Sequence, residues 1–329
     1  MKIDDILNLT EGILTSKPEI QAIESASTFP SKIGQGDLFF AANAKDIPLA
    51  VANGAYAIIY EEEETEILDP EIAWIKVHSV KESAFRLLRY VLLSKEADFY
   101  LLDKHEMSLL RMILTHKGNI TFLPNAWNKA FEQILNGEGH LFVSTDEELM
   151  RLIKPESLRL TKQAEGYPVS DTLFKSTFRI GKYVYQDIKL IPFHLDYLLR
   201  AIHLCESHDL PYTIDRIQYT KHFLPLHIDN NLHTVTQGAS DKVLIFTDDL
   251  ENVVRAREYV RYQTTWVKSI VLTPPKTKVE NVDRPYWFNT VEEAREILTA
   301  VHYNYAFVYS LDKEVFKSFE QTTEHTGLF

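Results

Sequence analysis

The sequence predicts an α/β protein in three parts, and three observations carry that prediction. From residue 239 onward, apolar runs of strand length alternate with helical patterns of about three turns, which is what a parallel βαβ sheet with right-handed crossovers requires. The first 95 residues alternate short apolar runs with turns on a smaller scale. The composition is that of a globular chain long enough for two or three cores, with 329 residues, 45% of them hydrophobic and 25% charged.

Taken in order, Gly36 to Ala41 reads as a strand entered from a glycine turn and Gly54 to Tyr60 as a second, buried strand. Ile47 to Asn53 has room only for a short helix or crossover between them. A third run, Ala73 to Val77, leads to Ser79, which with Glu82 forms a capping box before Ala84, Leu87, Leu88, Val91 and Leu92 at helical spacing. The acidic run Glu61 to Glu64 is expected to be a solvated loop. In the middle of the chain, Phe99 to Leu102 is an expected strand and Met107 to Leu114 a helical pattern. Thr145 and Glu148 form a second expected capping box before Leu149, Leu152 and Ile153, and Pro155 stops that helix. Leu195 to Ser207 reads as a helix with Leu198, Leu199, Ile202 and Cys205 on one face. The last part reads strand Lys242 to Phe246, helix Leu250 to Tyr262, strand Ser269 to Leu272, helix Thr290 to Val301 and strand Tyr305 to Tyr309.

Charge and composition exclude several functions. Acidic residues outnumber basic ones 47 to 35, for a formal charge of -12, so phosphate backbones and anionic membranes are repelled. Neither nucleic-acid binding nor membrane insertion is expected. The single cysteine, Cys205, permits no intrachain disulfide and no cysteine metal cluster, and its place on an apolar helix face predicts an inert thiol. With no basic segment followed by an apolar one at the amino terminus, a cytoplasmic setting is expected. Glycine numbers only 11, about half the ~7% average, although phosphate-wrapping loops depend on it.

Specific residues then point to a family. Ile33-Gly34-Gln35-Gly36-Asp37-Leu38-Phe39-Phe40-Ala41, followed by Ala50 to Ile59 with Gly54-Ala55-Tyr56-Ala57, resembles the UDP-binding domain of the Mur ligases, the ATP-dependent enzymes that extend UDP-N-acetylmuramic acid in peptidoglycan synthesis. Ile245-Phe246-Thr247-Asp248-Asp249 before a helix, and Glu292-Glu293-Ala294 opening another before the final strand, resemble the last domain of the member that adds D-Ala-D-Ala. Leu123-Pro124-Asn125-Ala126-Trp127-Asn128 is similar to the family's Gly-Asn-x-Asn stretch. The resemblance implies a bacterial, three-part Mur-ligase-like architecture: a UDP-binding-type domain over 1–95, a shortened central domain over 96–238 and a Rossmann-like domain over 239–329. By the same resemblance the candidate ligand-binding residues are Ser31, Gly36, Asp37, Asn125, Asn128, Asp248 and Asp249.

Departures from the family pattern decide the expected function. Its phosphate loop should follow the strand at Phe99 to Leu102, yet the chain reads Asp103-Lys104-His105-Glu106-Met107-Ser108, and no glycine occurs between Gly54 and Gly118. The pair Gly181-Lys182 lacks the rest of the motif. Phe29-Pro30-Ser31 replaces the Asp-Ser-Arg that meets the uridine nucleotide, and Val308-Tyr309-Ser310-Leu311 replaces the terminal Lys-Gly-Ser-Arg. ATP and magnesium are therefore not expected as cofactors. The reading is a non-catalytic Mur-ligase-like protein that binds a UDP-linked cell-wall precursor or serves as a protein partner of active enzymes. An ATP-dependent amide ligase with an unrecognised phosphate site is the alternative.

Read from chemistry alone, Asp248 and Asp249 just past a parallel strand are placed either to orient an amine or cation or to cap the helix at Leu250. Asp37 either fixes a turn or meets ligand. His203 and His208 diverge by about 140° on a helix, and His222 and His227 are expected on opposite faces of a strand, so no metal site is expected. No Ser/His/Asp or Cys/His arrangement is legible.

Overall fold

A computed structural model describes residues 1–61, 65–116, 118–137, 139–264 and 266–325. Packing divides the chain into two units. The first holds Met1–Lys104 and His116–Thr161; the second holds His105–Thr115 and everything from Lys162 onward. This division differs from the three expected segments, because residues 105–115 and 162–238 pack with the carboxy-terminal sheet.

The first unit contains two sheets. After α1 (Ile3–Thr10) come β1 (Ile13–Leu14), β2 (Ala26–Ser27), β3 (Leu38–Phe40), α2 (Ile47–Ala52), β4 (Ala57–Tyr60), β5 (Ala73–Lys76) and α3 (Val80–Leu92). Strands β2 to β5 are parallel in the order β5-β4-β3-β2, and β1 pairs antiparallel with the β5 edge. Gly36 and Gly54 both have φ near +97°, and the Gly36 amide bonds to the Gly54 carbonyl at 3.2 Å, so the turns that start β3 and precede β4 close on each other. Ser79 caps α3 by accepting from the Glu82 amide. Glu61 accepts from the Val80 amide, while Glu62 to Glu64 lie outside the described residues.

The second sheet follows β6 (Asp98–Leu101), α4 (Lys104–Ile113), β7 (Ile120–Phe122), α5 (Trp127–Leu135), β8 (Leu141–Ser144), α6 (Glu147–Ile153) and β9 (Leu158–Arg159). Its order is β7-β8-β6-β9 and every pair is parallel. The expected cap at Thr145 falls one residue later: Asp146 accepts from the Leu149 amide, and Glu148 pairs instead with Lys81 at 2.8 Å. Aspartate reaches the N3 amide as well as threonine does and adds favourable charge at the helix start. A core running from Ile6 through Phe40, Phe85 and Phe131 to Ile153 joins both sheets.

Glu132 of α5 fastens the segment after β2 into this unit. Its carboxylate is 4% exposed and accepts from Ser27 Oγ at 2.6 Å, the Thr28 amide at 2.8 Å, Lys32 Nζ at 3.1 Å and Asn136 Nδ2 at 3.1 Å. A buried carboxylate is tolerated only when donors replace its water.

The second unit continues with a meander of β10 (Gly166–Asp171), β11 (Ser176–Ile180) and β12 (Tyr183–Ile188), all antiparallel. Then come α7 (Leu195–Ser207), β13 (Leu224–Ile228), β14 (Lys242–Thr247), α8 (Leu250–Gln263), β15 (Ser269–Thr273), β16 (Tyr286–Trp287), α9 (Val291–Ala300), β17 (Tyr305–Tyr309) and α10 (Lys313–His325). The sheet order is β13-β14-β17-β15-β16, parallel except for β13. As expected from the apolar face of α7, Leu198, Leu199, Ile202 and Cys205 are buried, and burial pushes the Cys205 thiol up to about 12. Among the described residues no helix is long and apolar enough to cross a membrane.

Glu132→Ala should destabilise the first unit by about 2–4 kcal/mol, since the donors around it lose their acceptor. Glu132→Gln should cost less. Denaturant unfolding followed by Trp74 or Trp127 fluorescence would measure both.

Candidate functional site

A dense polar constellation lies in the second unit, at the carboxyl end of β14. Parallel sheets present ligands at that end, where strand gives way to helix. Asp248 and Asp249 occupy this step. Asp249 caps α8, its Oδ1 accepting from the Glu251 amide at 2.9 Å, while its Oδ2 lies 2.7 Å from His105 Nε2. Asp248 Oδ1 lies 2.6 Å from His222 Nδ1. The capping reading of the pair thus holds for Asp249, and each aspartate also receives an imidazole.

Three histidines converge here and all are buried: His105 at 2% exposure, His194 at 2% and His222 at 3%. His105 comes from the first turn of α4, His194 from the 3-10 turn Pro192–His194 before α7, and His222 from the segment before β13. His222 is therefore not on a strand opposite His227, because β13 begins only at Leu224. The His105 ring centroid lies 4.4 Å from His194, 5.0 Å from His222 and 4.9 Å from Tyr197.

Donor and acceptor logic fixes the ring protons. A carboxylate only accepts, so His105 Nε2 and His222 Nδ1 each carry a hydrogen. Asn252 Nδ2 donates to the His222 carbonyl at 3.0 Å, which turns its Oδ1 toward His194 Nε2, also 3.0 Å away. His194 Nε2 therefore donates as well. In the neutral ring, with Nδ1 protonated, His222 Nε2 keeps a lone pair, and Ser108 Oγ lies 3.1 Å from it. Ser108 stands three residues after His105 on α4, so both face the same way. Burial first, then the neighbouring His105 imidazole, hold His194 down to about 3. Glu106, 4% exposed, binds Arg200 Nε of α7 at 2.5 Å, and the Arg200 guanidinium stacks 4.8 Å from the Tyr197 ring.

The remaining candidates are placed as follows. Gly36 shapes the turn before β3, and Asp37 fixes that turn by accepting from the Gly34 amide at 2.9 Å. Ser31 sits exposed on the 3-10 turn Pro30–Lys32. Asn128 is the second residue of α5, and its carbonyl accepts from Thr28 Oγ1 at 3.3 Å, which brings it to the segment carrying Ser31; Asn125 is exposed ahead of α5. Sequence reasoning missed His105, Ser108, His194, His222 and Asn252 as a group. The one available signal was the run Asp103 to Ser108, dense in polar chemistry where a glycine loop was expected. Among the described residues no three His, Cys, Asp or Glu side chains are placed to hold a metal ion.

The state of His194 sets a pH dependence. Folded, it stays neutral to about pH 3; unfolded, it takes a proton near 6.5. The unfolded state binds more protons in that window, so stability is complete above pH 6.5 and is lost as the pH falls. The loss should reach about 2 kcal/mol by pH 5 and be smaller in His194→Gln, as read from urea midpoints between pH 7.5 and 5.

No family model and no curated protein matches the sequence. Solved structures do match the fold. The MurF ligase of Thermotoga maritima, determined in complex with ADP, aligns over 92% of this chain and 99% of its own with a TM-score of 0.55 and 12% identity. MurF of Acinetobacter baumannii aligns over 98% of each chain with a TM-score of 0.52 and 11% identity. With its largely parallel α/β sheets, the chain has a Mur-ligase-like fold.

Proposed function

We propose that this chain binds a UDP-linked cell-wall precursor, such as UDP-N-acetylmuramic acid or its peptide, and does not perform ATP-driven ligation. The likeness to MurF supports the precursor as ligand, in keeping with the Gly36-Asp37 turn and the Gly54 element in the first unit. The connection from β6 to α4 carries the second half of the reading. A phosphate loop needs several residues, glycines among them, so that backbone amides converge on the anion. Here two residues, Leu102 and Asp103, join strand to helix, and the Leu102 amide is already bonded to the Ser144 carbonyl at 2.8 Å. The side chains of the helix's first turn bond within the second unit, His105 to Asp249 and Glu106 to Arg200. Asp103 and Glu106 add negative charge where phosphates would have to approach.

Calorimetric and thermal-shift titrations of the whole chain test the reading. UDP-N-acetylmuramic acid or its peptide at a hundred times its dissociation constant should stabilise the fold by about 2.7 kcal/mol, and ATP with magnesium should leave the melting point unchanged. Tight, magnesium-dependent ATP binding would sink the proposal. Binding of neither compound would remove the precursor and leave a protein partner of active enzymes as the reading to pursue.

A further inference from the structure

We infer that Ser108, His222 and Asp248 form a serine acyl-transfer centre that takes small carboxylic esters, an activity separate from the precursor binding proposed above. The distances give the order of contacts: Ser108 Oγ to His222 Nε2 is 3.1 Å, and His222 Nδ1 to Asp248 Oδ1 is 2.6 Å. In the neutral ring, with its proton on Nδ1, Nε2 accepts from the serine hydroxyl, which is the protonation state a general base needs to activate a nucleophile. Such sets are recognised by geometry and role rather than by chain order or fold.

Two further observations separate this serine from an ordinary helix hydroxyl. Thr10, Ser207 and Thr299 each turn back to the carbonyl four residues earlier, at 2.7, 2.7 and 2.8 Å. Ser108 is turned to the imidazole instead and keeps partial exposure. The base is also held in place. The His222 carbonyl accepts from Thr247 Oγ1 at 2.6 Å and from Asn252 Nδ2 at 3.0 Å, and the ring lies edge-on to His105. Asp248, with 51% of its side chain exposed, serves as a positioning residue that orients the imidazole.

The step balances within the chain and water. Ser108 Oγ bonds to the ester carbonyl carbon as its proton passes to His222 Nε2. The carbon–oxygen bond to the leaving alcohol then breaks, and that alcohol takes the proton from His222. Water, giving a proton to His222, attacks the acyl carbon and releases the carboxylic acid with Ser108 restored. Esters rather than amides are the substrates, because Ser108 lies inside α4 with its own N–H spent in the helix ladder. An acyl site without converging backbone donors forgoes roughly 10²–10³ in rate and needs a good leaving group.

The test uses the whole chain with 4-nitrophenyl acetate and, separately, a fluorophosphonate, read by intact mass and peptide mapping. One adduct is expected, on Ser108, and none in Ser108→Ala. His222→Gln should slow labelling at least tenfold. Asp248→Asn should slow it several-fold and Asp248→Glu should restore it, a pattern that a purely structural contact would not give. As Asp248 is half exposed, its variants keep the test decisive even where His222→Gln fails to fold. No adduct, an adduct elsewhere, or equal labelling of Ser108 in Asp248→Asn would overturn the inference. None of these results depends on whether a UDP compound binds.

Discussion

A buried imidazole N–H must donate to something, and in the second unit all three acceptors lie within five residues of one another, at Asp248, Asp249 and Asn252. That constraint draws α4, the turn before α7 and the segment before β13 to the carboxyl end of β14. Leaving any of these nitrogens dry and unpaired would cost about 1–3 kcal/mol, so the convergence is enforced rather than incidental. Asp249 is the pivot, since its two oxygens serve different masters: one caps α8 and the other accepts from His105. The Glu106–Arg200 pair and the Tyr197 ring reinforce the same α4–α7 seam from the next positions along each helix.

The residues just after β6 are among those that build this seam. His105, Glu106 and Ser108 follow β6, and each meets a partner inside the second unit. A helix start can present open amides to an anion, or it can use its first-turn side chains to anchor itself. In this chain the first-turn side chains His105 and Glu106 anchor the helix. The likeness to MurF therefore belongs to the fold, while the chemistry available at this helix is that of imidazoles, carboxylates and a hydroxyl.

The site was poorly legible in sequence because its members are far apart in the chain. His105 meets Asp249 across 144 positions and Ser108 meets His222 across 114. No local spacing reports such a contact. The local reasoning about histidines compared neighbours, His203 with His208 and His222 with His227, and those are not the pairs that form. Asp248 and Asp249 stand out in the sequence because strand end and helix start are local features, and the capping role of Asp249 follows from the same locality.

Periodicity and capping chemistry, which act over four or five residues, determined most elements: α7 spans Leu195–Ser207 and β17 spans Tyr305–Tyr309 as read, and Ser79 and Thr290 cap the helices they precede. Composition determined the single inert thiol and the shortage of glycine. Tertiary structure alone decided that residues 105–115 belong with the carboxy-terminal sheet. It alone decided that three histidines share one buried site. Local patterns set which backbone conformation a segment prefers, whereas the pairing of buried polar groups depends on which segments meet, and only the packed chain brings them within hydrogen-bond reach.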